Sequence, residues 1–203
     1  TMPITSGPTV VDKKVVIGGN AMVVALASET GEILWKTPVT SEVLAAPKIS
    51  EDLVLVNTIE GGLTALSIRD GHQLWRFTIT APSLVLRRSS VPIVTNDYVI
   101  AGFANGKLVV LNRADGSVNW VADVAMSKGR SDIQRMIDIS ADLVIRDEII
   151  YVVSYQGKLA AFALASGQVI WDREVSSYAG LLVDDKLVYV ADTNGDVLAF
   201  DRN

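Results

Sequence analysis

The stretch Gly106–Trp120, GKLVVLNRADGSVNW, sets the pattern on which the rest of the chain is built. In it, Leu111 precedes Trp120 by nine residues and Gly116 precedes it by four. The same spacing occurs three more times, so that all four tryptophans of the chain follow it. The tryptophans are Trp35, Trp75, Trp120 and Trp171, and their glycines are Gly31, Gly71, Gly116 and Gly167. Self-similarity at a period of about 40 residues is typical of repeat folds.

Each repeat has the pattern of four antiparallel strands. A short run, often opened by a proline, leads through a polar turn into a strongly β-branched strand, and a glycine turn leads into a third. In three of the repeats an Asp-Gly or Ser-Gly turn, which supplies a positive φ, then precedes the tryptophan strand. The polar turns are predicted at Asp12-Lys13, Glu51-Asp52, Asn96-Asp97, Arg146-Asp147 and Asp184-Asp185. Four such strands in about 40 residues predict a blade of an all-β propeller.

The number of repeats predicts that the ring is incomplete. Four repeats end at a tryptophan, and a fifth begins near Leu181 and has none before Asn203. Typical propellers have about four to eight blades. We therefore predict that residues 1–203 form a single partial propeller domain of about four and a half to five blades, with further blades missing at both ends.

Composition excludes several classes of function. The chain has 49% hydrophobic residues but only 6% aromatic ones, which favours strands buried on both faces. The net charge of −5, without a basic block, argues against nucleic-acid binding. The absence of cysteine excludes thiolate zinc sites, disulfides and thiol nucleophiles. No residue pattern predicts a metal or a cofactor.

Two connections between repeats are longer than the others. From each tryptophan to the start of the next repeat the chain runs 12, 17, 23 and 10 residues. The long connections are residues 78–91 and 122–141, which we call the first and second connections. Equivalent connections lie on one face of a propeller, so we expect these two to lie side by side there. Loops that depart from a rigid repeat are where function is usually added.

The first connection, TITAPSLVLRRSSV, places Leu84 and Leu86 beside Arg87 and Arg88. Aliphatic side chains next to guanidinium groups can anchor a protein partner. The alternative is that both leucines face inward on an extended strand while Arg87 is solvated. The second connection carries mixed charges, so a plain solvated loop is its alternative. Residues 131–139 of that connection are predicted as a short helix capped by Ser131.

These features together resemble a known family. The Gly-x-x-x-Trp repeat alone is shared by the whole pyrroloquinoline-quinone-like propeller superfamily. The sequences APSLVLRRSSVP and GRSDIQRMIDISADLV, in adjacent repeats, resemble those of the BamB family more specifically. These are periplasmic lipoproteins of the bacterial outer-membrane β-barrel assembly (BAM) machinery. The resemblance runs over essentially the whole chain and corresponds to the middle of an eight-bladed ring, without the anchoring N-terminal cysteine or the last blades.

The resemblance implies a scaffold rather than an enzyme, with no cofactor. In that family the two loops bind the POTRA domains of BamA, within a complex of several subunits at the inner face of the outer membrane. Leu84, Leu86 and Arg87 match the first loop, and Asp138 matches the second. Ser140 stands where the family has another aspartate; Arg88 and Asp142 are candidates to compensate. Membrane attachment would come only from a lipid anchor that this chain lacks, and unfolded outer-membrane proteins paired to strand edges are a further partner hypothesis.

Two other functions fit the same repeats. One is a generic periplasmic or secreted propeller that binds a different protein. The other is a fragment of a quinone-dependent dehydrogenase, which would need a closed ring and carboxylate ligands for calcium; here the carboxylates cluster in hairpin turns. His72, the single histidine, is predicted to be exposed. The segment Asp192–Asp196 superficially resembles a calcium loop and is predicted to be a hairpin turn.

Overall fold

The computed structural model describes residues 3–82, 90–125, 137–139 and 141–202. Every regular element in these ranges is a β-strand, and the 19 strands form five antiparallel sheets in chain order. No helix in the same ranges is long and apolar enough to cross a membrane. The composition rich in Val, Leu and Ile thus builds strands, as the sequence predicts.

The first four sheets have four strands each, and consecutive strands are neighbours in every sheet. Sheet 1 contains β1 (Thr9–Val11), β2 (Lys14–Gly19), β3 (Met22–Ala27) and β4 (Ile33–Pro38). Sheet 2 contains β5 (Lys48–Ser50), β6 (Leu53–Thr58), β7 (Gly62–Ser67) and β8 (Gln73–Thr78). Sheet 3 contains β9 (Ile93–Val94), β10 (Tyr98–Gly102), β11 (Lys107–Asn112) and β12 (Val118–Asp123). Sheet 4 contains β13 (Val144–Arg146), β14 (Ile149–Val153), β15 (Lys158–Ala163) and β16 (Val169–Glu174).

The fifth sheet has three strands, β17 (Leu181–Val183), β18 (Leu187–Ala191) and β19 (Val197–Asp201). The described residues cluster into two compact units. Of the described residues, the first unit comprises 3–81, 91–99 and 112–117, and the second comprises 82, 90, 100–111, 118–125, 137–139 and 141–202. Sheets 1 and 2 belong to the first unit, sheets 4 and 5 belong to the second, and sheet 3 contributes residues to both.

The middle strands of sheets 2, 3 and 4 are buried on both faces, as the predicted propeller requires. All six residues of β6 and the first five of β7 are buried. The fourth strands differ, because β8 alternates and buries Trp75 while its neighbours face solvent. A sheet whose middle strands are apolar on both faces must be covered on both sides by neighbouring elements.

A β-bulge places each tryptophan. Leu26 pairs with Ile33 while Ala25 pairs with Trp35, so that Leu34 is an extra residue in β4. The extra residues in the other fourth strands are Leu74, Asn119 and Ile170. A bulge bends its strand and turns the following side chain to the other face. In each case that side chain is the repeat tryptophan.

Each tryptophan then joins its own sheet to the next sheet along the chain. The Trp75 indole Nε1 donates a hydrogen bond to the Arg113 carbonyl at 2.9 Å, and Trp75 is only 6% exposed. The other three indoles donate to the carbonyls of Ile68, Leu164 and Arg202. Gly116, with a φ of +70°, lies against the same ring, and a Cβ built on it would be 2.6 Å from Trp75 Cε3. The Gly-x-x-x-Trp repeat is therefore a docking device between consecutive sheets.

Two predicted turns are wrong by one residue. The bend of sheet 5 is Asp185-Lys186 rather than Asp184-Asp185, because the Asp184 carboxylate accepts hydrogen bonds from the Lys186 and Leu187 amides, each at 2.7 Å. The turn of sheet 4 is Asp147-Glu148, with φ angles of +50° and +60°, rather than Arg146-Asp147. Arg146 remains in β13, where it pairs with Ile149. Its guanidinium reaches sheet 5, where it donates to the Val183 carbonyl at 3.3 Å and forms an ion pair with the Asp185 carboxylate. These contacts favour the extended conformation of Arg146 and move the turn one residue on.

Candidate protein-binding site

The structure describes the C-terminal ends of both long connections. Leu84, Leu86, Arg87 and Arg88 of the first connection lie outside the described residues, as does Ser140 of the second. The described parts nearest to them are Ser90 and the segment Ile137–Ile139. Both belong to the second compact unit, so their geometry can be compared directly.

The segment Ile137–Ile139 is extended and buried. Asp138 forms an isolated antiparallel bridge with Tyr155, whose amide donates to the Asp138 carbonyl at 2.9 Å. The Ile139 amide donates to the Phe103 carbonyl at 3.3 Å. The helix predicted over residues 131–139 is therefore wrong for its last three residues, and residues 131–136 lie outside the described part. Alternation of two isoleucines about Asp138 suits an extended segment that buries both of them.

Two glycines make room for the isoleucines. A Cβ on Gly102 would lie 2.2 Å from Cγ2 of Ile139, and a Cβ on Gly106 would lie 2.9 Å from Cγ2 of Ile137. Approaches this close exclude a larger residue unless the segment shifts. As a result, Ile137 is 4% exposed and Ile139 is 1% exposed.

The first connection ends at the same place. Ser90 is fully buried, and its hydroxyl donates to the Gly102 carbonyl at 3.3 Å. Gly102, the last residue of β10, thus contacts both Ser90 and Ile139. Ser90 is two residues beyond Arg88 in the chain, and Ile139 directly follows Asp138. The described ends of the two connections therefore converge on one residue.

Sheet 1 contains the same arrangement without a long connection. The Ser6 hydroxyl donates to the Gly18 carbonyl at 3.2 Å, and a Cβ on Gly18 would lie 2.5 Å from Cγ1 of Val43. The Glu42 carbonyl accepts from the Ile59 amide at 3.0 Å, as the Asp138 carbonyl accepts from Tyr155. The backbone arrangement is therefore a repeated packing device of the fold. The two sites differ in the acidic side chain, since Asp138 is 2% exposed whereas Glu42 is only partly buried.

Paired charges and aromatic rings surround the ends of the second connection. Lys107, next to Gly106, forms an ion pair with Asp123 at 2.5 Å. Lys158 binds Asp172 at 2.9 Å, and this hydrogen bond raises the Lys158 pKa above its usual value. The Tyr155 ring lies 6.4 Å from that of Tyr178, which is 46% exposed. Such a surface can contact a protein through both polar and aromatic groups.

The other residues considered from the sequence do not form part of this site. His72 is exposed, as predicted. Asp192–Asp196 is the predicted hairpin turn, in which the Asp192 carboxylate accepts from the Asn194 and Asp196 amides, and these bonds lower its pKa. In the described ranges no three acidic or histidine side chains are grouped to hold a metal ion.

Sequence reasoning missed Gly102, Ser90 and Ile139. A glycine in a β-branched strand is a sign that another backbone approaches closely. The sign occurs in two repeats. Gly18 and Gly102 each lie ten residues after a proline, and that proline lies two residues after a serine. Comparing the repeats at these positions would have revealed the paired Ser-Gly contacts.

Comparisons with known proteins agree with one another. A family model described as outer membrane protein assembly factor BamB matches residues 1–203. The BamB of Alteromonas naphthalenivorans is 39% identical over 166 residues, which is 81% of this chain and 40% of that protein. The BamB of Yersinia pestis is 33% identical over 169 residues, which is 83% of this chain and 43% of that protein. The chain thus spans less than half the length of these relatives.

Solved structures give the same result. The crystal structure of BamB from Moraxella catarrhalis superimposes with a TM-score of 0.91 at 30% identity, over 98% of this chain and 61% of that one. Together with the five antiparallel sheets, this match confirms the predicted β-propeller fold. A quinohemoprotein alcohol dehydrogenase from Comamonas testosteroni has a TM-score of 0.78 at 15% identity, over 100% of this chain and 42% of that one, and shares the fold alone. The chain belongs to the BamB family of outer membrane protein assembly factors.

Proposed function

We propose that this chain is part of a non-enzymatic scaffold for outer-membrane protein assembly, and that its two long connections bind the POTRA domains of BamA. Its relatives are named as assembly factors, which supports the assembly role. Partner binding rests on the resemblance of the two connections to the binding loops of the family. The scaffold would assist the folding and insertion of outer-membrane β-barrel proteins.

The observation that carries this proposal is the convergence of both connections on Gly102. Two loops contribute to one binding surface only if the fold brings them to the same place. Here Ser90 and Ile139, at the ends of the two connections, contact the same residue of β10. The sheets repeat one strand pattern, bulge included, so the connections are the elements free to vary for recognition.

We assign the roles of the site residues by chemistry. Leu84 and Leu86 would bury aliphatic surface against the partner, and Arg87, assisted by Arg88, would pair with a partner carboxylate. The second connection contributes Asp138 and Ser140, and serine in place of an acidic residue reduces the negative charge offered there. Truncating a central anchor of an interface typically costs about 2 kcal/mol or more of binding free energy, whereas rim contacts cost little.

The proposed location follows from the same assignment. A subunit that binds the POTRA domains works in the periplasm, at the inner face of the outer membrane, together with the other subunits of the BAM complex. A lipid anchor outside this sequence would hold the whole protein there.

Two alternatives remain distinct from this proposal. A generic propeller that binds another protein would use the same convergent connections but would not bind the POTRA domains. A quinone-dependent dehydrogenase fragment has only fold-level support, because the dehydrogenase structures are 13–15% identical to this chain. Saturable binding of the quinone would favour that alternative.

The test is direct binding of this chain to isolated POTRA domains by calorimetry. We expect Leu86→Ala and Arg87→Glu each to weaken binding at least about 30-fold, which corresponds to about 2 kcal/mol. Leu74→Ala and Arg69→Glu are matched controls, because both residues are exposed and lie outside the connections. Equal affinities for all five proteins would refute the assigned site, and a folded wild-type chain that binds no POTRA domain would refute the proposed partner.

A further inference from the structure

We propose that Asp138 is a positioning residue, which holds the end of the second connection against Gly102 so that the two connections keep a fixed relation to each other. This inference rests on the proposed function, since it concerns how the same site binds its partner. It replaces the expectation that the Asp138 carboxylate itself contacts the partner.

Burial is the first argument. Asp138 is 2% exposed, between Ile137 at 4% and Ile139 at 1%. Its Oδ2 atom is sealed from solvent. A partner side chain could reach this carboxylate only by displacing the segment that holds it.

The main chain on both sides of Asp138 is fixed to neighbouring turns. The Tyr155 amide binds the Asp138 carbonyl, and the Ile139 amide binds the Phe103 carbonyl. Gly102 and Gly106 leave no spare room behind the isoleucines. Any change that moves Asp138 therefore moves the end of the connection relative to Gly102, where the first connection is also attached through Ser90.

The equivalent site in sheet 1 shows that the backbone arrangement does not require a buried acid. There Val43 packs on Gly18 while the preceding Glu42 is only partly buried. Burying a carboxylate is costly unless its surroundings compensate. Its presence at the end of the longest connection suggests that it fixes one conformation of this segment, a role that buried polar groups have in some proteins.

The experiment compares four variants with the wild-type chain. Asp138→Asn removes the charge and keeps the shape, and Gly102→Ala displaces Ile139 without touching Asp138. Ile139→Ala loosens the same contact, and it replaces Gly102→Ala in the comparison if that variant does not fold. Gly18→Ala creates the same crowding in sheet 1 and is the matched control. POTRA binding is measured at low and high salt, and hydrogen exchange of the Tyr155 amide is measured by NMR without partner.

We expect Asp138→Asn and Gly102→Ala to weaken binding by similar factors of roughly 2 to 30, the range for substitutions that act indirectly on a site. The losses of affinity should persist at high salt. Salt screens the attraction between charges, so it would remove the effect of a lost charge contact, but it does not restore a displaced segment. The Tyr155 amide should exchange faster in both variants. Gly18→Ala should change neither binding nor that amide.

The opposite pattern would overturn the inference. Asp138 contacts the partner directly if Asp138→Asn weakens binding, Gly102→Ala and Ile139→Ala do not, and the loss disappears at high salt. The inference also fails if Asp138→Asn leaves the Tyr155 amide unchanged. That amide is measured in the free protein, so it tests the positioning role even if the wild-type chain binds no POTRA domain and the proposed function fails.

Discussion

Replacing Gly116 by alanine tests how the repeat tryptophan joins consecutive sheets. Gly31 offers a matched control, because its φ is +73° against +70° for Gly116, and a Cβ on it would meet nothing within 4 Å. On Gly116 the same Cβ would lie 2.6 Å from Cε3 and 2.7 Å from Cδ2 of Trp75. The two substitutions therefore share the backbone cost and differ in the contact with the indole.

The expected magnitudes follow from these geometries. A left-handed conformation costs a non-glycine residue about 1–2 kcal/mol, and the lower entropy of the unfolded chain offsets about 0.4–1 kcal/mol of it. Gly31→Ala should therefore lower the free energy of unfolding by about 1 kcal/mol. Forcing a methyl group into a packed site costs a further 1–3 kcal/mol or so, which gives about 2–4 kcal/mol for Gly116→Ala.

Urea unfolding followed by circular dichroism measures both changes on the same chain. The double variant Gly116→Ala with Trp75→Phe provides the coupling energy between the two residues, since the smaller ring should relieve part of the clash. Equal destabilisation by Gly31→Ala and Gly116→Ala would show that the indole moves aside at no cost. The tryptophan could then not be a rigid wedge between sheets.

Two further predictions concern other contacts between sheets. Trp35→Phe removes the indole donor to the Ile68 carbonyl, 3.1 Å away in a buried site, and should cost about 1–3 kcal/mol of unfolding free energy in the same assay; an unchanged free energy would mean that the bond contributes nothing. The hydrogen bond and charge of Arg202 lower the pKa of Asp147. The pair therefore stabilises the fold above pH about 4, and this stabilisation is lost as the pH falls through the lowered pKa of Asp147. Thermal melting should therefore show a shallower acid decline for Asp147→Asn than for the wild type, while the exposed control Glu148→Gln follows the wild type; identical curves for both variants would contradict the role of the pair.

The strand pattern was predictable because it is local. The spacing of Leu111, Gly116 and Trp120 gives the last hairpin of a repeat, and the β-branched runs give its middle strands. The bulge was not predicted, although the adjacent exposed residues Ile33 and Leu34 interrupt the alternation expected of a strand. An irregularity of one residue changes the pairing without changing the composition.

The candidate site was predictable only in part, because its supports are distant in sequence. Loop length and resemblance identified the two connections, but the contact of Ser90 and Ile139 with Gly102 joins residues of three separate segments. The extended form of the end of the second connection also depends on these partners, and local capping at Ser131 predicted a helix instead. The same packing buries Asp138. An aspartate in a long connection therefore did not indicate a charge on the surface.

The bulges also bear on how unfolded clients could bind. In the described residues, the fourth strand of each of sheets 1 to 4 lies at a sheet edge and exposes apolar side chains, such as Ile33 at 54% and Ile170 at 48%. An added client strand would need a regular row of free amides and carbonyls, and a bulge near the middle of β4 or β16 breaks that row and increases its twist. Pairing beyond the bulge would require a client strand with an irregularity at the same place. Edge pairing at these four strands is therefore the weaker of the two binding hypotheses, and the two connections, whose ends the fold brings together at Gly102, stay the proposed site of recognition.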